Sequence, residues 1–227
     1  MKYIIIGLGS FGSELARTLT GMGHEVVGVD RHMSKVEKLK DELTHTICLD
    51  ATDQEAVDMI PHRDCDIVIV AIGEDEGASI LATALMKQVG VKRLLSRAIS
   101  PLHQSVLEAM GITEILHPER EAAERLSRRL HLKGVIDAFQ LDANYQILEV
   151  EVPAYLVGQT VAESRLRSRY ELNVVTVIKA DTRQTRWARP QVLGVVKPDT
   201  VFGDQDRVVV FGHTRDLERW LKEAADS

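Results

Sequence analysis

Near its amino end the chain reads Gly7-Leu8-Gly9-Ser10-Phe11-Gly12, the spacing G-x-G-x-x-G, directly after the apolar run YIII. Each glycine in that spacing has a physical task. Gly7 permits a tight turn, Gly9 lets backbone approach a pyrophosphate, and Gly12 lets a helix pack closely on the preceding strand. A helix opened by Ser10 and Phe11 offers free N–H groups and a partial positive charge to phosphates. Asp30 stands 18 residues after Gly12, at the end of EVVGVD. A carboxylate there accepts hydrogen bonds from both ribose hydroxyls and repels a 2′-phosphate, an exclusion that Arg31 beside it softens. Asp50-Ala51-Thr52 closes a third apolar run. In such a pattern Asp50 can accept from an adenine amino group and the Ala51 N–H can donate to a ring nitrogen; alternatively Asp50 or Thr52 caps the next helix. Ala71-Ile72-Gly73 are small enough for backbone to pass close to ribose and phosphate. Arg97 closes RLLSRA, where it either meets a phosphate or is solvated. Together these residues describe a site for an adenine nucleotide.

A hydride-transferring enzyme also needs a proton donor or acceptor and a substrate pocket. Residues 135–227 contain a single histidine, His213, placed where a helix cap is expected. The sequence has no H-E-x-x-H, C-x-x-C or G-x-S-x-G. His45, His62, His103, His117 and His131 lack metal-ligand spacing. A nucleotide site without visible chemistry argues against an enzyme.

These residues must be held by elements whose order is legible. Short apolar runs at 2–6, 25–30, 45–50, 66–73, 93–98 and 113–117 alternate with helical periodicity at 10–22, 34–43 (capped by Ser34), 53–60, 76–89 and 101–110. Six strand–helix beats with near-continuously apolar strands predict an α/β, Rossmann-like doubly wound parallel sheet, with the glycine turn at its first strand end. After His117 the beat changes. Pro118 opens a charged helix to about Gly134, its expected C-cap. Strands follow at 135–142 and 145–154, a helix at 160–170, a strand at 173–180, an Arg-rich hairpin tip DTRQTRWARPQ, a strand at 207–212 and a closing helix. The expected organisation is residues 1–117 as a nucleotide-binding domain, 118–134 as a linking helix and 135–227 as a smaller α+β domain.

Composition agrees. With 227 residues, 44% hydrophobic and 27% charged, the chain can bury a real core. A net charge of −6 excludes a global nucleic-acid footprint. Two cysteines, Cys48 and Cys65, make no disulfide framework, which fits a reducing cytoplasm. No signal-peptide core and no apolar run near ~20 residues is present, so the chain is not expected to span a membrane by itself.

GLGSFGSELARTLTGMGHEVVGVD, LDATD, DIVIVAIGED and ITEILHPERE, followed by YLVGQTVAESRLRSRYELNVVTVIKA and KPDTVFGDQDRVVVFGHTRDLERW, resemble the RCK (also called KTN) domain of the regulatory subunits of bacterial Trk and Ktr potassium-uptake systems, closest to the single-RCK Ktr type. The resemblance implies regulation by ATP, ADP, NAD or NADH, dimers assembling into an octameric ring, and a membrane-embedded potassium-translocating partner. It implies that the 118–130 helix is a crossover tying dimer partners. Glu119 stands where the family's His-Pro-Glu segment meets a cation or phosphate, which makes it a candidate divalent-cation ligand; a glutamate in a first helical turn is equally favoured by the helix dipole. ATP-sensing members carry Arg where this chain has Ser10, and a serine cannot neutralise phosphate charge. Some relatives bind cyclic di-AMP in the C-terminal module, where Arg165, Arg167 and Arg169 are candidate phosphate contacts. The alternatives are an NAD(P)-dependent oxidoreductase with an unrecognised site, and a nucleotide or cyclic di-AMP sensor for another transporter.

Overall fold

Three consecutive isoleucines decide the architecture of the first half. In β1 (Lys2–Ile6), Ile4 and Ile6 join one apolar cluster and Ile5 the opposite one, and all three are buried. A strand whose two faces are both buried needs layers on both sides. In the computed structural model, which describes residues 1–131, 134–180 and 191–225, those layers are helices. β1 lies in a parallel sheet with β2 (Glu25–Asp30), β3 (His45–Cys48), β4 (Ile67–Val70), β5 (Leu94–Arg97) and β6 (Glu114–Leu116), in the order β3-β2-β1-β4-β5-β6. Ala16 of α1 (Ser10–Gly21) and Val36 and Leu39 of α2 (Met33–Leu39) pack with Ile5. Val57 of α3 (Gln54–Val57) and Ala82 and Met86 of α4 (Glu76–Gln88) pack with Ile4 and Ile6. α5 (Pro101–Ala109) adds Leu107 to a smaller cluster with Ala98 and Ile112.

The chain divides into two compact units, Met1–Glu119 and Arg120–Ser227, so the break falls within the first turn of α6 (Pro118–His131). The second unit is antiparallel, with β7 (Val135–Gln140), β8 (Tyr145–Glu151), β9 (Asn173–Lys179), β10 (Gln191–Val192) and β11 (Arg207–His213) in the order β10-β9-β11-β8-β7. Leu148 and Val150 of β8 and Val208 and Val210 of β11 alternate inward, where Leu217, Trp220 and Leu221 of α8 (Thr214–Ala225) cover them. The Trp220 indole donates to the Tyr155 hydroxyl at 2.7 Å. Asp206 is buried and accepts from the Gly203 N–H (2.7 Å), the Ala180 N–H (3.1 Å) and Lys179 Nζ (2.6 Å). Burial works against its ionisation, but these donors outweigh it and hold the carboxyl below its ordinary value.

Three helices differ from their sequence reading. α2 starts at Met33 and stops at Leu39, and its cap position is His32 rather than Ser34, with no side-chain cap bond. The chain turns after Leu39 because Leu43 is buried and the Thr44 hydroxyl accepts from the Val26 N–H at 3.0 Å, which ties the turn to the sheet. α3 is short, and its cap is Asp53, which accepts from the Glu55 N–H. The helix expected over 160–170 reduces to α7 (Leu166–Tyr170), because Arg165 takes a left-handed φ of 51° and separates it from the turn that Thr160 and Glu163 close on each other. The expected hairpin tip at 181–191 lies outside the described residues except for Gln191. Gly134 has the positive φ (81°) suited to a helix stop.

His103 on α5 is 1% exposed, and neither ring nitrogen has a hydrogen-bond partner among the described residues. Burial lowers its pKa from the ordinary 6.5, with Glu76 opposing weakly. Below about pH 6.5 the unfolded chain therefore takes up a proton that the folded unit resists, and stability falls with pH. Urea denaturation of the first unit, followed from about pH 7.5 to about pH 5.5, should show this loss. His103→Leu should flatten it; an unchanged profile in the variant would assign the acid sensitivity elsewhere.

Candidate functional site

The parallel sheet reverses direction of winding between β1 and β4, and a cavity opens there at the carboxyl ends of the strands. Its floor is the turn after β1. Gly7 has φ 98°, and a Cβ there would stand 2.9 Å from the Ile72 backbone nitrogen. Its N–H donates to the Val29 carbonyl at 2.8 Å, which pulls the turn against β2. Gly9 is the N-cap of α1, and no acidic side chain occupies the helix's first turn. The first N–H groups of the helix, from Ser10 onward, thus have no intrahelical acceptor and face a positive helix end. Gly9, Ser10 and Phe11 line the cavity. Gly12, expected among the ligand contacts, does not. It sits behind the loop, where a Cβ would collide with the Gly7 carbonyl oxygen. Its role is the close packing of helix on turn.

Asp30 is 7% exposed at the end of β2. Its Oδ2 accepts from the Leu8 N–H at 2.8 Å; its Oδ1 accepts from the His32 N–H and meets the His32 Nδ1, both at 2.9 Å. Lys35 Nζ stands 3.8 Å from Oδ2. Burial opposes ionisation, but the hydrogen bonds from His32 and Leu8 and the charge of Lys35 prevail, so the carboxyl lies below its ordinary value. Asp50, Ala51 and Thr52 line the neighbouring wall. The Thr52 N–H (3.0 Å) and hydroxyl (2.7 Å) both donate to Asp50 Oδ1 and hold that carboxyl low as well. Since Asp53 caps α3, neither Asp50 nor Thr52 is the helix cap. Ala71, Ile72 and Gly73, after β4, form the side opposite.

Arg97 and Glu119 also line the cavity and are paired with each other. The Arg97 side chain is 13% exposed, and its guanidinium carbon stands 5.7 Å from the centre of the Phe11 ring. Glu119 is thus bonded to a cation of the protein itself, and the described residues contain no group of three or more acidic, His or Cys side chains that could hold a metal ion. The described residues thus show no set of protein ligands for the divalent cation expected at Glu119.

Sequence reading missed the polar lining residues His32, Lys35, Glu74 and Asp75, and the apolar Ile6, Val29, Leu49 and Ala78. The cluster of Arg31, His32 and Lys35 directly after Asp30 was the available signal. Arg31 pairs with Asp75 at 3.7 Å, and Lys35 lies between Asp30 and Glu74. Five lining carboxylates therefore face three permanent cations, each of which already has an acidic neighbour.

In the second unit, Arg165, Arg167 and Arg169 are exposed around α7, and Arg169 is bonded to Glu223 at 2.7 Å. The His213 Nδ1 accepts from the Arg215 N–H at 3.2 Å, a cap on the start of α8.

The TrkA-N domain family model matches residues 3–118, and the TrkA-C domain model matches residues 146–224. The Ktr system potassium uptake protein C of Bacillus subtilis (strain 168) is 29% identical over 221 residues, 97% of this chain and 96% of the relative. The Ktr system potassium uptake protein A of Vibrio alginolyticus is 32% identical over 165 residues, 73% of this chain and 75% of the relative. A solved structure of the GsuK channel bound to NAD superimposes with a TM-score of 0.63 at 17% identity. That match covers 97% of this chain and 39% of the other, a likeness of fold.

Gly12→Ala should cost about 3 kcal/mol, in the range of overpacked core positions, because the methyl group meets backbone that cannot yield. Urea denaturation checks this. Wild-type stability in the variant would mean that α1 does not depend on this close approach.

Proposed function

The chain belongs to the TrkA-N domain family, and on that premise we propose that it is a cytoplasmic regulatory subunit of a potassium-uptake system, which binds an adenine nucleotide as a signal rather than a reagent. The observation that carries this reading is the convergence of the Gly7–Phe11 turn, Asp30, Asp50–Thr52, Ala71–Gly73 and Arg97 on one cavity at the switch point of the sheet. The N–H groups at the start of α1 hold phosphate, Asp30 receives ribose, and the Asp50–Thr52 wall meets adenine.

The charge of the cavity selects among adenine nucleotides. With five carboxylates against three cations and a serine at position 10, it suits ligands with few phosphate charges, NAD(H) or ADP, better than ATP. His32 is engaged with Asp30, at the ribose end. His213 caps a helix in the second unit. We therefore assign neither a catalytic step.

The relatives named as potassium uptake proteins, matched over 96% and 75% of their length, support a transport role. The described residues include no helix long and apolar enough to cross a membrane, and we assign the pore to a separate membrane-embedded partner. Dimers joined through α6 (Pro118–His131) and assembled into an octameric ring would place the nucleotide domain where it can act on that partner. Regulation then requires that the nucleotide bind two arrangements of the ring with different affinity.

Native mass spectrometry of the protein taken from cells should show an even-numbered assembly retaining an adenine nucleotide; a ligand-free monomer would overturn the proposal. Ser10→Arg should add a cation at the phosphate end and tighten ATP about tenfold more than ADP by calorimetry. Equal change for both would place position 10 away from the terminal phosphate.

A further inference from the structure

Asp30 already carries three hydrogen bonds from the protein itself. An ionised carboxylate offers about four acceptor positions, two on each oxygen. The Leu8 N–H takes one on Oδ2, and the His32 N–H takes one on Oδ1. Both are backbone donors and belong to the turns after β1 and β2, so they stay. The second position on Oδ1 is held by the His32 imidazole, 2.9 Å away. Lys35 Nζ, at 3.8 Å from Oδ2, contributes charge but fills no acceptor position. Only one position, on Oδ2, is left open. A ribose 2′,3′-diol that engages both carboxylate oxygens needs one on each.

We propose that the His32 imidazole is a displaceable occupant of Asp30, which stands in the place of one ribose hydroxyl and must swing away before a ribonucleotide binds with both. This rests on the reading of the cavity as an adenine-nucleotide site. The His32 side chain is 48% exposed while that of Asp30 is 6% exposed, so the imidazole can leave into solvent and the carboxylate cannot follow. Every ribonucleotide then binds at the expense of one charge-assisted hydrogen bond. That keeps affinity below what the phosphate turn and ribose contacts would otherwise reach, and makes the ligand easier to exchange. A ligand with one hydroxyl on this sugar can use the open position on Oδ2 and leaves His32 in place. His32 is thus a specificity-determining residue that reduces discrimination between ribose and deoxyribose.

The test is calorimetry with ADP and with 2′-deoxy-ADP on the wild type and on His32→Ala, which keeps the backbone N–H bond to Asp30. The variant should bind ADP about tenfold tighter, the worth of one charge-assisted hydrogen bond, and 2′-deoxy-ADP within about twofold of wild type. A parallel change for the two ligands, or weaker ADP binding, overturns the role of His32 while leaving the nucleotide site standing. A wild type that does not bind ADP overturns the reading of the cavity and this inference with it.

Discussion

The buried carboxylate of Asp30 is the interaction on which the first unit depends. Removing an ionised carboxylate from water is costly unless donors replace the lost hydration. Here the replacements are the Leu8 N–H, from the turn after β1, and the His32 N–H, from the turn after β2. One side chain thereby ties two loops of neighbouring strands together, and the Gly7 N–H bond to Val29 runs parallel to it. The phosphate turn is held in shape by the protein's own hydrogen bonds, before any ligand arrives. The same bonds leave the carboxylate little spare capacity, so the device that orders the site also tempers its affinity.

The second unit uses the same physics in an antiparallel setting. Asp206, 3% exposed, gathers the Gly203 and Ala180 N–H groups and Lys179. It joins the end of β9 to the turn that leads into β11. The G-D-x-D stretch that contributes to the family resemblance is, in this unit, a structural clamp. Around it the core is built by strict alternation along β8 and β11 against the apolar stripe of α8. In both units an aspartate at a strand end fixes loops that apolar packing alone would leave undirected.

Charge in the cavity is arranged in pairs rather than as a positive surface. Arg31 with Asp75, Lys35 with Asp30 and Glu74, and Arg97 with Glu119 leave no unbalanced cation in the lining. A phosphate entering such a site relies on backbone N–H groups at the start of α1, or else competes with a carboxylate for its arginine. The second route matters for Arg97, because its partner Glu119 lies in the first turn of α6, at the break between the two units.

Alternation and spacing made much of this legible in advance. The continuous apolar runs of β1, β2 and β4 determined a sheet buried on both faces, and the glycine spacing with Asp30 after the second strand marked the strand ends where the cavity opens, because both depend on local periodicity and on residue types with few other uses. Helix ends were less legible. α2 ends early because Leu43 is buried and Thr44 is tied to β2, and α7 begins late because Arg165 takes a left-handed φ; propensity within the segment carries no trace of these. Most of the residues singled out in sequence line one cavity, and the pairing of its charged groups was not legible. The close packing of Gly12 followed from the glycine spacing, whereas that Glu119 is bonded to Arg97 and that the His32 imidazole turns back onto Asp30 are facts of side-chain pairing. The sequence by itself determined the fold and the location of the cavity; only the tertiary structure decided which of its charged groups are already partnered, since hydrogen bonding depends on distances that residue order does not contain.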